Sequence, residues 1–138
     1  MVDSGIDYTH ADFGGPGTPA AWQYAHTHEA DAPTYGSSKV IGGYDFVGDA
    51  YHRTKETPTP VAHPDDNPID CGGHGTHVAG SAAGFGVNAD GSTYTGDYDQ
   101  STDFGAMKIG PGMAPGAELL AYKVFGCCLL YTSPSPRD

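Results

Sequence analysis

Asp3 and His74 are the residues of this chain whose type and setting best suit chemistry. Asp3 opens an Asp-Ser-Gly turn directly after Val2, so its carboxylate stands where a strand ends. His74 lies in the run Gly72-Gly73-His74-Gly75-Thr76-His77, where the strongest helix signal begins. A strand-end carboxylate beside a helix-start histidine is the acid–base half of a nucleophilic hydrolase. The imidazole takes the nucleophile's proton, and the buried carboxylate fixes its tautomer and orientation. The positive end of the helix dipole favours neutral imidazole, the form that can accept a proton. Gly73 and Gly75 let backbone and substrate approach without Cβ clashes. Taken singly, Asp3 reads as a turn residue and His74 as a surface or capping histidine; the pairing carries the catalytic reading. Asp70 reads equally well as an anion placed near a helix N-terminus and as a solvated loop carboxylate.

These residues need a scaffold. Residues 1–2 read as the last two of a buried strand whose start is missing, because an ordinary strand needs about five. Residues 14–38 are rich in Gly, Pro, Ala, Thr and His and predict surface loop with one short helix around Ala20–Ala25. Lys39–Val47 predicts a strand. Asp49–Asp70 holds Pro58, Pro60, Pro64 and Pro68, which block regular structure. His74–Phe85 predicts a helix whose side chains are nearly all small. Each Gly costs a helix about 1 kcal/mol against Ala, so such a helix makes sense only where another element packs close, buried against a sheet. Asn88–Asp103 predicts a polar hairpin or loop turning at Asp90-Gly91, and Glu118–Phe125 predicts a strand. Strand, strand, helix, strand implies an α/β fold with a parallel sheet.

Composition bounds the answer further. The chain has 138 residues, 17 acidic against 6 basic, and a formal net charge of −11. That length allows one domain at most. The negative charge disfavours nucleic acid and anionic membranes, whose phosphates call for Lys and Arg. No apolar run approaches the roughly 20 residues of a membrane span, and no basic-then-apolar leader opens the chain. Three cysteines exclude a disulfide-dense mini-protein. His26, His28, His52 and His63 fit no common zinc spacing and read as solvated loop residues. Cys71, His74 and His77 mimic a metal cluster, so a non-catalytic metal-binding or scaffold module is the alternative of a different class.

The motifs carry a resemblance. Asp-Ser-Gly-Ile-Asp, followed by a His and an Asp, resembles the catalytic-Asp signature of the subtilisin-like serine peptidases. GHGTHVAG resembles their catalytic-His signature almost letter for letter, and GMAPGAELLAYKVFG resembles the stretch after it. The resemblance covers about residues 1–127 and implies the N-terminal portion of a subtilisin-like catalytic domain: a partial α/β domain with a parallel sheet and a buried helix carrying the catalytic His. Asp3 then matches the catalytic Asp, His74 the catalytic His, and His77 a histidine that is structural within the helix. Asp before His in the chain agrees with this family. Val124, Phe125 and Gly126 match the edge that pairs with an extended substrate. Asp12 matches a position that ligates calcium in many members, although the loop after the helix is here the longer Gly86–Gly112. Calcium is thus a possible structural ion and no cofactor is required. Cys71 and Cys127 match neighbouring positions beside the cleft, so the resemblance implies a disulfide between them, two free thiols being the other reading. The implied setting is extracellular and the implied substrates are polypeptides.

Two parts of the family pattern are missing. No Gly-Thr-Ser-x-Ala-like nucleophile motif occurs, and the oxyanion-hole Asn should lie downstream of the YKVFG strand. Ser4, Ser81 and Ser133 do not substitute for the nucleophile. The expected chain is therefore an inactive piece lacking the C-terminal part of its own domain, with a sheet edge and apolar surface left uncovered. Residues 128–138, CLLYTSPSPRD, break the pattern. Read back into codons, they resemble a transposase-type sequencing adapter translated in frame; a disordered Pro-rich tail is the other reading, and neither carries function.

Overall fold

The computed structural model describes residues 1–28, 35, 39–52 and 58–127. The expectation about residues 128–138 lies outside the described residues. Three parallel strands form one sheet: β1 (Val2–Asp3), β2 (Val40–Asp45) and β3 (Leu119–Lys123). The last strand in the chain is the middle one, giving the order β1-β3-β2. Asp3 and Asp45 both stand in register with Lys123. The carboxyl ends of all three strands therefore meet on one line, the place where open parallel sheets build sites. The register shifts between Val40 and Gly42, and β2 is shorter than the run Lys39–Val47 that predicts it.

Among the described residues, two α-helices accompany the sheet. The first, α1 (Pro19–Thr27), starts on a Thr18 cap whose hydroxyl accepts from the Ala21 N–H, with proline in its first turn. The second, α2 (His74–Ala83), carries the small-residue run. Gly75, Ala79 and Ala83 are buried, while His74, His77, Ser81 and Ala82 face outward. The predicted buried helix is thus buried along one face. A Cβ on Gly75 would overlap the Gly5 carbonyl oxygen and lie 3.1 Å from the Asp3 Cβ. Close approach of β1 and its turn is what demands the small residue there. Gly73 has a different reason: nothing would crowd its Cβ, but its φ of +85° is left-handed.

The core is small. Ile6, Tyr8, Phe13, Val40, Ile69, Ala79 and Ala121 form one buried cluster, with Trp22, Tyr35 and Leu119 packed on it. Val2 corrects an expectation: it is 65% exposed and lies outside that cluster. Ile41, Phe46, Leu120 and Phe125 are exposed too, which is the predicted open apolar surface. The 88–92 segment turns tightly at Asp90-Gly91, and Val87 bridges to both Thr93 and Ile109.

Candidate active site

The end of β1 and the first residue of α2 bring Asp3 and His74 together. His74 Nδ1 lies 2.8 Å from Asp3 Oδ1. A carboxylate oxygen can only accept, so Nδ1 carries the proton and donates, leaving Nε2 with a lone pair. The imidazole side chain is 69% exposed, and the carboxylate 15%. Asp3 Oδ1 also accepts the Ser4 backbone N–H at 2.7 Å. Burial pushes the Asp3 carboxyl up, but the His74 bond, the Ser4 N–H and the charge of His74 outweigh it and hold it below the ordinary aspartate value. The arrangement can hold an imidazole in one tautomer and stabilise it once it gains a proton.

That depression has a measurable sign. A carboxyl with a lower value in the folded state stabilises the fold above its unfolded value, about 3.9, and ceases to do so as pH falls through the folded one. Asp12 and Asp65 are shifted the other way by burial, so they gain stability on protonation and blur the raw profile. The clean observable is the difference in urea midpoint between the wild type and Asp3→Asn. It is expected to be largest near neutrality and to shrink steadily below pH 4.

The segment before the helix is pinned. Asp70 is 2% exposed, which settles its two sequence readings in favour of the buried helix-start anion. The Ile69 carbonyl accepts from Lys123 Nζ at 3.1 Å, and the Asp70 carbonyl accepts from the Trp22 indole N–H at 2.9 Å. Cys71 and Cys127 are joined by a disulfide with Cα atoms 5.3 Å apart. Lys123 is fully buried at the end of β3, pairing with Asp45 at 3.3 Å and with Asp49. Burial pulls its ammonium down, but the two carboxylates prevail and raise it above the ordinary lysine value. Sequence reasoning missed Lys123, Asp45 and Asp49; a lysine inside the apolar run ELLAYKVF was the available signal.

Val124 donates its N–H to the Asp3 carbonyl at 2.9 Å, so that donor is not available to a substrate. Phe125 is exposed, and Gly126 is buried against the Asp49 and Tyr51 carbonyls. His77 is exposed on α2 and lines a cavity of about 620 Å³ with Phe13, Trp22, Ile109 and Pro111. Neither Asp3 nor His74 lines that cavity; the pair opens directly to solvent.

Asp12, the position the resemblance associates with calcium, is buried and meets backbone donors. One carboxylate oxygen accepts the Gly86 N–H and the backbone carbonyl accepts the Phe85 N–H, both at 2.8 Å. Its other oxygen lies where a Cβ on Gly80 or Gly84 would stand. Those contacts seat the end of α2 against the aspartate. The Cys71–His74–His77 metal cluster is not assembled, because Cys71 bonds Cys127 and His74 bonds Asp3. Among the described residues, the group that does converge is His26, Asp49 and Cys127. The disulfide removes the thiolate such a site needs. His26 is nevertheless no solvated loop residue: its ring stacks on Trp22, and Nδ1 lies 3.2 Å from Asp49.

Comparison with known proteins follows the same lines. The profile of the subtilase family matches residues 1–134. The thermophilic serine proteinase of Bacillus sp. (strain AK1) is 30% identical over 123 residues, 89% of this chain and 17% of that protein. The subtilisin-like protease SBT1.4 of Arabidopsis thaliana is 31% identical, over 90% of this chain and 15% of its own length. The minor extracellular protease Vpr of Bacillus subtilis (strain 168) is 32% identical, over 91% of this chain and 10% of its own. The chain thus spans between 10% and 17% of the length of these relatives. No solved structure matches it. No helix among the described residues is long and apolar enough to cross a membrane.

Proposed function

The chain belongs to the subtilase family, and from that premise we propose that it supplies the Asp and His of an Asp–His–Ser serine endopeptidase. Asp3 holds and stabilises the His74 imidazole. His74 Nε2 removes the proton of a serine hydroxyl as that oxygen attacks the scissile carbonyl, then returns it to the leaving amine. The triad also needs a serine and an oxyanion-hole asparagine, and no Gly-Thr-Ser-like motif occurs in these 138 residues, so on this proposal the chain alone does not turn over. The observation that carries the reading is the 2.8 Å contact between His74 Nδ1 and Asp3 Oδ1 at a helix start.

Polypeptides are the proposed substrates. With the Val124 N–H taken and Gly126 buried against Asp49 and Tyr51, pairing with an extended substrate falls to the Val124 carbonyl and the backbone of the exposed Phe125. The disulfide supports an oxidising, extracellular setting.

The chain by itself should hydrolyse a chromogenic peptide no faster than its His74→Ala variant. A longer product of the same locus that reaches a Gly-Thr-Ser segment should hydrolyse it and take a serine-directed fluorophosphonate label. Turnover by the short chain that His74→Ala abolishes, or a longer product that takes no label, overturns the proposal.

A further inference from the structure

His74 is the first residue of α2, yet the helix cap does not fix it. The capping position is Gly73, which has no side chain to offer. Asp70, four residues before the histidine, takes over that task. Its Oδ1 accepts the Ser4 hydroxyl at 3.0 Å, the Gly72 N–H at 2.8 Å and the Gly73 N–H at 2.9 Å. Its Oδ2 accepts the Thr76 N–H at 2.9 Å and the Thr76 hydroxyl at 2.5 Å. The Ser4 hydroxyl in turn accepts the Gly75 N–H at 2.8 Å. Residues 72, 73, 75 and 76, on both sides of His74, are thereby tied to one carboxylate directly or through one hydroxyl.

The same carboxylate reaches the other member of the pair. Ser4 follows Asp3, and its backbone N–H donates to Asp3 Oδ1 while its hydroxyl donates to Asp70. Thr76 Oγ1 also accepts the Asp7 N–H at 2.9 Å, joining the turn after β1 to the first turn of α2. We infer that Asp70 is the positioning residue of the site: its five accepted hydrogen bonds set the distance and angle between Asp3 and His74. The inference rests on the reading of those two as the acid–base pair.

The chemistry asks for a carboxylate. All five contacts come from donors, and an anion accepts them through both oxygens at the positive end of the helix dipole. Asparagine has the same shape but would turn an N–H₂ group toward one of the two donor sets, setting donor against donor. A scaffold role alone would require only that α2 stay in place. A positioning role requires that the Asp3–His74 contact respond.

The test reads that contact on the chain itself, by titrating the Asp3 carboxyl carbon with NMR. In Asp70→Asn the Asp3 midpoint should rise from its depressed value toward the ordinary 3.9 or so, with near-UV circular dichroism retained. Thr76→Val should move it in the same direction, and Thr76→Ser, which keeps the hydroxyl, should leave it unmoved. Should Asp70→Asn fail to fold, the two Thr76 variants decide. A folded Asp70→Asn with an unshifted Asp3, or Thr76→Val and Thr76→Ser that titrate alike, overturns the inference. In a product complete with its serine, Asp70→Asn should lower kcat about 100-fold with KM nearly unchanged, the scale of a misplacement near 1 Å. An unchanged kcat also overturns it. A complete product inert as wild type sinks the peptidase reading, while the titration still decides whether Asp70 positions the pair.

Discussion

His74→Ala is expected to lower kcat about a millionfold in a product that includes the nucleophile, the scale on which a triad loses its histidine. The residual rate should be that of binding and oxyanion stabilisation alone, with KM little changed. Asp3→Asn should cost about ten-thousandfold, because the imidazole keeps its place but loses the acceptor that selects the Nδ1–H tautomer. The order of the two losses is itself informative. In the proposed mechanism His74 Nε2 moves the protons, whereas Asp3 acts through Nδ1, its partner at 2.8 Å. The double variant should be about as slow as His74→Ala alone, since residues that act as a unit are not additive. Initial rates on a chromogenic peptide measure all three. A loss below tenfold for His74→Ala, or additive losses in the double variant, would contradict the assignment.

Replacing Cys71 and Cys127 together by serine is expected to destabilise the chain by about 4 kcal/mol on the loop-entropy account. The disulfide spans a sequence separation of 56, long enough for that account to give a large value. Domains of this size are stable by about 5–15 kcal/mol in total, so the loss decides whether the chain folds at all. It should appear as a lower urea midpoint with a somewhat steeper slope, because the unfolded chain without the cross-link is more expanded. The bond also anchors Cys71 next to Asp70, so the double serine variant should loosen the segment before His74. Faster hydrogen exchange at the Gly72 and Gly73 amides would report that; exchange matching the wild type would limit the disulfide to a global role.

The sequence made the chemistry legible more readily than the architecture. Asp3 and His74 stand out because a strand-end aspartate and a glycine-flanked histidine have few other uses together. Helix α2 was legible from its run of small side chains, and the approach of Gly5 to Gly75 explains that run. Helix α1 and strands β2 and β3 fall where composition and apolar pattern place them, within a residue or two at their ends. Val2 was misread because burial depends on what packs over a residue, which one strand-end dipeptide does not encode. His26 was misread for a similar reason: its partners Trp22 and Asp49 come from helix and loop. For Asp12, resemblance offered a cation site where the structure supplies backbone N–H donors.

What the sequence determined by itself is the family and the candidate pair Asp3 and His74, because residue type and local spacing are properties of the chain. What only the tertiary structure decided is which groups hold the reacting ones in place. Residue 123 enters the sheet between strands formed by residues 2–3 and 40–45, so the chain order does not reveal that Lys123 meets Asp45 and Asp49. Asp70 could be a solvated loop carboxylate in the sequence. It becomes the anchor of the pair only because folding buries it among Ser4, Gly72, Gly73 and Thr76. Burial removes water as a competing partner, and a carboxylate so enclosed requires every one of those donors.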